Sequence, residues 1–395
     1  MITEGIIELW RNQAEQGEAE AQYNLGRCYY NGDVVAKDEK KAAEWYLKAA
    51  EQGYVTAQYN IGVFYDSGIG VTKDEKKAAE WYRKAAEQGF ANAQHNLGMC
   101  YYNGEGVLQD YKEAVEWWKK AVEQDFCESQ YTLGICYRHG RGCSQDLSKT
   151  VELWHKAADQ GHIEAQFNLG LFYEGGIGVN KDEKKAVEWY QKAAAQGYAA
   201  AQFTLGVFYE RGIGVNKDEK KAAEWYQKAA EQGHADAQCY LGNCYRTGEG
   251  VVQDYKKAFE WFSKSAEQGN DKAQNNLGVC YYNGEGVTKD FAKAFEWYRK
   301  AAEQGYALAQ GNIGLCYYNG EGVLKDYNKA FVWLSKAAEQ GEEKAQFFLA
   351  TCYISGLGVT ADFGKGLQWL DKSATQGFQL AKDFIQILLT QMKNS

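Results

Sequence analysis

The chain repeats itself every 36 residues, and that property constrains its fold more than any other. The alanine that opens the phrase A-Q-x-N-L-G recurs at Ala21, Ala57, Ala93, Ala165, Ala201, Ala237, Ala273, Ala309, Ala345 and Ala381, with Ser129 in the remaining slot. Loops normally tolerate insertions, so a period kept without drift is a strong signal of a repeat architecture. A unit this small cannot bury an apolar face by itself and has to stack on its neighbours.

Within a unit, Ala21, Leu25, Cys28 and Tyr29 fall at i, i+4, i+7 and i+8, one stripe of an α-helix, here helix A. Gly26 in its interior costs about 1 kcal/mol of propensity relative to alanine, which makes sense where another backbone approaches closely. Glycine holds that place in nine repeats, and Ala350 in the tenth. A loop written GEGV or GIGV follows, as at Gly104–Val107 and Gly68–Val71, with glycines suited to positive φ and a valine to plug back into the core. An aspartate then appears in all ten units, from Asp38 to Asp362, and is the expected N-cap of helix B. Helix B runs through EKKAAEWYLKAAEQ, with Ala42, Trp45 and Ala49 turned toward helix A, and Gly53 and its equivalents stop it.

The expected fold is therefore all-α: a right-handed α-solenoid, or superhelix, of about ten 36-residue helix-turn-helix repeats with terminal half-repeat helices. Residues 1–17 are expected to form an N-terminal capping helix, 18–380 the tandem repeats and 381–395 a C-terminal capping helix.

A formal charge of −9, with lysines and acids interleaved as in KDEKKAAEW, leaves no basic patch for a phosphate backbone, so no nucleic-acid partner is expected. The opening MITEGIIELWRNQAEQG lacks the basic, apolar and small-residue regions of a secretory signal, and nowhere do eighteen apolar residues run together. No membrane insertion is expected, and a cytoplasmic location is. Seven of the ten cysteines (Cys28, Cys100, Cys136, Cys244, Cys280, Cys316, Cys352) share one repeat position with Phe64, Phe172 and Phe208, the mark of a buried apolar slot and of a reducing compartment.

No motif for catalysis or for phosphate binding stands out, and the expectation is a protein that is not an enzyme and uses no cofactor or metal. The fourth repeat holds Cys127, Cys136, His139 and Cys143, whose places in the buried slot and the loop read as packing rather than as a zinc set or a disulfide. His95, His155, His162 and His234 are scattered over surface-type positions without ligand spacing.

The pattern A-Q-x-N-L-G-x-x-Y-x-x-G-x-G-V followed by D-x-x-K-A-x-x-W-Y-x-K-A-A-x-Q-G resembles the Sel-one-like repeat, a relative of the tetratricopeptide repeat, over nearly the whole chain. The resemblance implies an α-solenoid that serves as a non-enzymatic scaffold or adaptor for partner proteins. It also brings two alternatives: a secreted or translocated bacterial factor that meets a host cell, and a penicillin-interacting hydrolase of the cysteine-rich branch. That branch pairs cysteines near the repeat junction where this chain has alanine, as at Ala50 and Ala57.

By similarity with tetratricopeptide solenoids, helix A lines the concave surface. Asn24, Asn60, Asn96, Asn168, Asn276 and Asn312 then form a ladder of amides suited to the N–H and C=O groups of an extended partner segment. Tyr23, Tyr59, Tyr131, Phe167, Phe203 and Phe347 beside them supply flat contact area. The alternative for the asparagines is inherited helix-to-helix hydrogen bonding. If they bind a partner, replacing Asn60, Asn96 and Asn168 by alanine should weaken its capture and leave the melt nearly unmoved. In the last helix Phe384, Ile385, Ile387, Leu388, Leu389 and Met392 cannot all face inward, so they either close the end of the solenoid or leave an edge for weak self-association.

Overall fold

A computed structural model describes the backbone of residues 3–394 and the side chains of residues 3–390. Among the described residues there are 22 helices and no strands, grouped in two compact bodies, Met1–Ala193 and Ala194–Ser395. Both are built from one hairpin, repeat 1 being helix A, Ala19–Asn31, and helix B, Glu39–Glu51.

Its ends are set by local chemistry. The Asp38 carboxylate accepts from the Lys41 backbone N–H at 3.0 Å, a cap whose loss typically costs about 1 kcal/mol. The equivalent aspartate does the same in every repeat, through to Asp362 and Lys365. The second loop glycine is fixed by tertiary contact: a Cβ on Gly70 would stand 2.1 Å from the carbonyl oxygen of Glu39 in the preceding repeat. In repeat 3, Asp125 takes the glycine position after helix B with φ +62°, and that helix, Tyr111–Val122, is one residue shorter.

Ala21, Leu25 and Cys28 are buried as the stripe predicts, with Tyr29 half-buried beside them. All ten occupants of the cysteine slot, Phe64, Phe172 and Phe208 included, are buried. Burial pushes the thiols up, to about 12 at Cys100, Cys136 and Cys280, and all ten cysteines of the chain are free.

On helix B, Ala42 and Ala49 are buried against helix A, but the large side chain between them is Tyr46, not Trp45. Trp45 is half-buried, with the Lys48 ammonium 4.0 Å above its ring. Tyr46 explains Gly26 as well. A Cβ on Gly26 would meet Tyr46 Cδ1 at 2.8 Å and the Ala42 carbonyl oxygen at 3.2 Å, so the glycine makes room chiefly for a ring and only secondarily for backbone. Repeat 10 has the arrangement reversed: Ala350 on helix A is matched by Gly366 on helix B and by Leu370 in the ring position.

Junctions between repeats are closed by glutamines that sequence reading passed over. Gln22, only 5% exposed, donates to the Ala14 carbonyl at 3.0 Å and accepts from Gln52 Nε2 at 2.7 Å. Gln58 with Ala50 and Gln88, and Gln94 with Ala86 and Gln124, repeat the motif. These bonds satisfy carbonyls at the C-terminal end of helix B that would otherwise be buried without partners.

No described helix is long and apolar enough to cross a membrane. In the last helix, Gln379–Asn394, Phe384, Ile385 and Leu388 pack around Ala350, Leu370 and Ala381, whereas Ile387 and Leu389 stay about half exposed. Met392 lies outside the residues whose side chains are described.

Candidate interaction groove

Side chains at the positions of Asn24, Arg27, Tyr30 and Asn31 leave helix A away from the buried stripe. In the C-terminal body three successive helices A, Asp271–Asn283, Ala307–Asn319 and Glu343–Ser355, contribute such residues to one cavity of about 280 Å³. Asn312, Asn319 and Phe348 stand on its wall. Neighbouring helices A thus share the lining of one cavity there.

All six predicted asparagines are half-buried. Three of their amide nitrogens reach the preceding repeat: Asn168 Nδ2 donates to Tyr131 Oη at 3.0 Å, Asn276 Nδ2 to Asn243 Oδ1 at 3.3 Å, and Asn312 Nδ2 to Asn275 Oδ1 at 2.9 Å. Asn60 interacts with the Tyr46 hydroxyl, and Asn96 with those of Tyr59 and Tyr82. The amides of Asn168, Asn276 and Asn312 therefore tie neighbouring repeats together, the helix-to-helix alternative for the asparagines.

The predicted aromatics are half-buried, and each packs on other rings. Tyr23 lies between Tyr46 and Tyr54 with centroids at 5.6 and 5.1 Å, and Tyr59 between Tyr82 and Phe90 at 6.0 and 5.3 Å. Tyr131 stacks on Trp154 and lies tilted against His162, with centroids 4.3 Å apart. Phe167 meets Tyr190, Phe203 meets Tyr226 and His234, and Phe347 meets Phe378 and Phe384. Such pairs contribute about 0.5–1.5 kcal/mol each beyond their burial.

A second row of polar groups was not foreseen. In repeats 5 and 6 the helix-B tyrosine passes the helix-A glycine and its hydroxyl donates to a carboxylate on the lining face, Tyr190 to Glu174 at 2.6 Å and Tyr226 to Glu210 at 2.5 Å. Tyr82 and Asp66 in repeat 2 are the looser equivalent at 3.5 Å. These are the three repeats with phenylalanine in the cysteine slot and a GIGV loop. Among the GEGV repeats, the loop glutamate can serve the previous repeat instead: Tyr282 Oη donates to Glu321 Oε2 at 2.9 Å. The two repeat flavours are visible in the sequence, but their pairing needs the stacked geometry.

The histidines are structural, not scattered surface groups. His162 and His234 cap helix A of repeats 5 and 7, accepting from Ala165 and Ala237 N–H at 3.3 Å, and His95 Nδ1 lies 3.0 Å from Ser129 Oγ. Burial lowers the pKa of all three. His155 packs edge-on to Tyr173 and Trp189. In repeat 4, Cys127 Sγ points at the Ala157 carbonyl and Cys143 Sγ at that of Arg141, each at 3.6 Å, while Cys136 is buried and His139 exposed. Among the described residues no three His, Cys, Asp or Glu side chains gather as a metal site.

Stacked two-helix repeats with a lined face define an α-solenoid. The chain belongs to the Sel1 repeat family, whose repeat matches ten consecutive segments, residues 19–54, 55–90, 91–126, 127–162, 163–198, 199–234, 235–270, 271–306, 307–342 and 343–378. It is similar to the crystal structure of a protective antigen present in uropathogenic Escherichia coli strains displaying an SLR fold, at 36% identity over 98% of this chain and 90% of that one, with a TM-score of 0.60. It is likewise similar to a Sel1 repeat protein from Oxalobacter formigenes, at 36% identity over 78% of this chain and 89% of that one, with a TM-score of 0.60. No curated protein matches the chain. The Sel1 repeat solenoid is in general a fold of protein–protein interaction.

Proposed function

We propose that this chain is a non-enzymatic scaffold or adaptor that binds an extended segment of a partner polypeptide along the face lined by its helices A, with residues 1–17 and 381–395 capping the array. The observation that supports this most is the cavity between three successive helices A, deep enough for a side chain and walled by amides. Asn168, Asn276 and Asn312 each donate an N–H to the preceding repeat, which orients the amide and leaves its oxygen to accept from a passing peptide N–H. A reducing compartment such as the cytoplasm suits ten free thiols.

The test is site-specific photocrosslinking in cells. A crosslinker at Leu315, on the cavity wall, should trap a partner that one at Leu324, an 89% exposed loop residue, does not. Capture should fall when Asn60, Asn96 and Asn168 are replaced together by alanine. Equal crosslinking from both sites, or undiminished capture by the triple variant, refutes the groove.

A second reading, a bacterial factor delivered to meet a host, is favoured by the likeness to a protective antigen of uropathogenic Escherichia coli over 98% of this chain. Labelling of intact cells by antibody against the chain would support it, and recovery from the cytosolic fraction alone would count against it.

A further inference from the structure

We infer, building on the groove reading, that the cavity between helices A of repeats 8, 9 and 10 receives an arginine side chain of the bound segment. At about 280 Å³ the cavity has room for one large side chain and not for a folded element. Three features of its lining specify which.

The first is an unused hydroxyl. Tyr298 is 4% exposed, and its ring crosses Gly278, where a Cβ would stand 2.6 Å from Cδ1, so that it lines the cavity. Its counterparts Tyr190 and Tyr226 donate to Glu174 and Glu210. In repeat 8 that carboxylate position holds Tyr282, and among the described residues nothing hydrogen-bonds the Tyr298 hydroxyl.

The second is the direction of the surrounding donors. Tyr282 Oη and Asn319 Nδ2 both point at Glu321 Oε2, at 2.9 and 3.2 Å, and Asn312 Nδ2 is given to Asn275. For a guest these groups leave three acceptors, the other Glu321 oxygen and the amide oxygens of Asn312 and Asn319, beside one remaining N–H on each amide. One repeat back, Glu285 takes one bond from the cavity residue Asn283 at 2.9 Å; its buried Oε2 and Arg246 Nε are both without a hydrogen-bond partner, but neither residue lines the cavity.

The third is shape. Val279, Leu315 and Phe348 form apolar walls that suit a methylene stem, beside the Tyr282 ring, over which the Lys289 ammonium stands 5.7 Å from the centroid. A guanidinium has five donors and no acceptor in a flat fork, which fits an acceptor-rich site better than the point charge of an ammonium. The one cation of the lining, Lys344, opposes this guest; with Tyr298 it would favour a carboxylate instead, and the experiment separates the two.

The full chain, methyl-labelled at Val279 and Leu315, is titrated with N-acetyl-arginine amide and, separately, with N-acetyl-glutamate amide. Arginine amide should shift both methyl signals saturably. Glu321→Gln, which keeps an acceptor for Tyr282, should weaken that binding about tenfold, or ~1.4 kcal/mol. Lys344→Met should leave it unchanged or tighter. The inference is overturned by the absence of a saturable shift, by arginine binding that survives Glu321→Gln intact, or by glutamate binding that Lys344→Met abolishes. If arginine fails to bind while the triple asparagine variant still loses its partner, only this inference falls; the converse removes backbone gripping by the amides and leaves the arginine pocket standing.

Discussion

Replacing Gly62 by alanine in helix A of repeat 2, Val55–Ser67, sets two effects of opposite sign against each other. Intrinsic propensity favours alanine in a helix interior by about 1 kcal/mol. The added methyl, however, would stand 2.7 Å from both Cδ1 and Cε1 of Tyr82 and 3.4 Å from the Ala78 carbonyl oxygen. Carbon atoms meet comfortably at about 3.5–4.0 Å, so the ring or the helix must retreat by about 1 Å. Tyr82 has little freedom to do so, being 2% exposed with its hydroxyl directed at Asp66. Overpacking of this kind costs about 1–3 kcal/mol, which leaves a net destabilisation of up to about 2 kcal/mol after propensity is subtracted.

A stacked array need not melt as one cooperative unit, so the suitable measurement is native-state hydrogen exchange of amides in residues 55–67 and 75–87. A loss of 1–2 kcal/mol speeds that exchange about 5–30-fold. Repeat 10 indicates the compensation, since Ala350 there faces Leu370 and Gly366. The pair Ala78→Gly and Tyr82→Leu should therefore do less damage in the Gly62→Ala background than in the native chain. Slower exchange in Gly62→Ala, or strict additivity of the three changes, would show that the ring contact does not govern this position.

Gln58→Ala removes the bonds to Ala50 O and from Gln88 Nε2, and should destabilise the junction of repeats 1 and 2 by about 2 kcal/mol, read as faster exchange at the end of helix B, Glu39–Glu51. Burial holds His95, His162 and His234 below the ordinary imidazole pKa, so the unfolded chain takes up protons first as pH falls through about 6.5, and stability should drop from there downward. Urea midpoints between pH 7.5 and 5 check this, and His162→Asn with His234→Asn should flatten the slope, because Asn270 already caps its helix at Ala273 N, 2.9 Å away. Ile387→Lys with Leu389→Lys, at positions 53% and 48% exposed, should abolish any self-association seen by light scattering without lowering the melting temperature; persistent association would place that contact elsewhere.

Much of the hairpin was legible because its determinants act over a few residues. Asp38 caps, Gly53 stops, and the spacing of Ala21, Leu25 and Cys28 selects one helix face; none of these needs a neighbour to be recognised. The exchange of Cys28 with Phe64, Phe172 and Phe208 likewise marked a buried slot through chemistry alone. Trp45 was harder. Adjacent residues on helix B both look apolar, and only the angle at which the helices cross puts Tyr46 over Gly26 and leaves Trp45 under Lys48.

The candidate groove was legible as a row of positions and not as a set of contacts. Asn168 and Tyr131 lie 37 residues apart, Tyr190 and Glu174 lie 16 apart, and Gln22 meets Gln52 across 30. Polar side chains of this kind have several ways to satisfy their hydrogen bonds, and which one is taken depends on distances set by stacking. Sequence by itself determined the unit, its caps and its buried stripe, because those follow from propensity and periodicity within one hairpin. Tertiary structure alone decided which amides bond to a neighbouring repeat and which side chains stay exposed, because that depends on what the next repeat brings within about 3 Å.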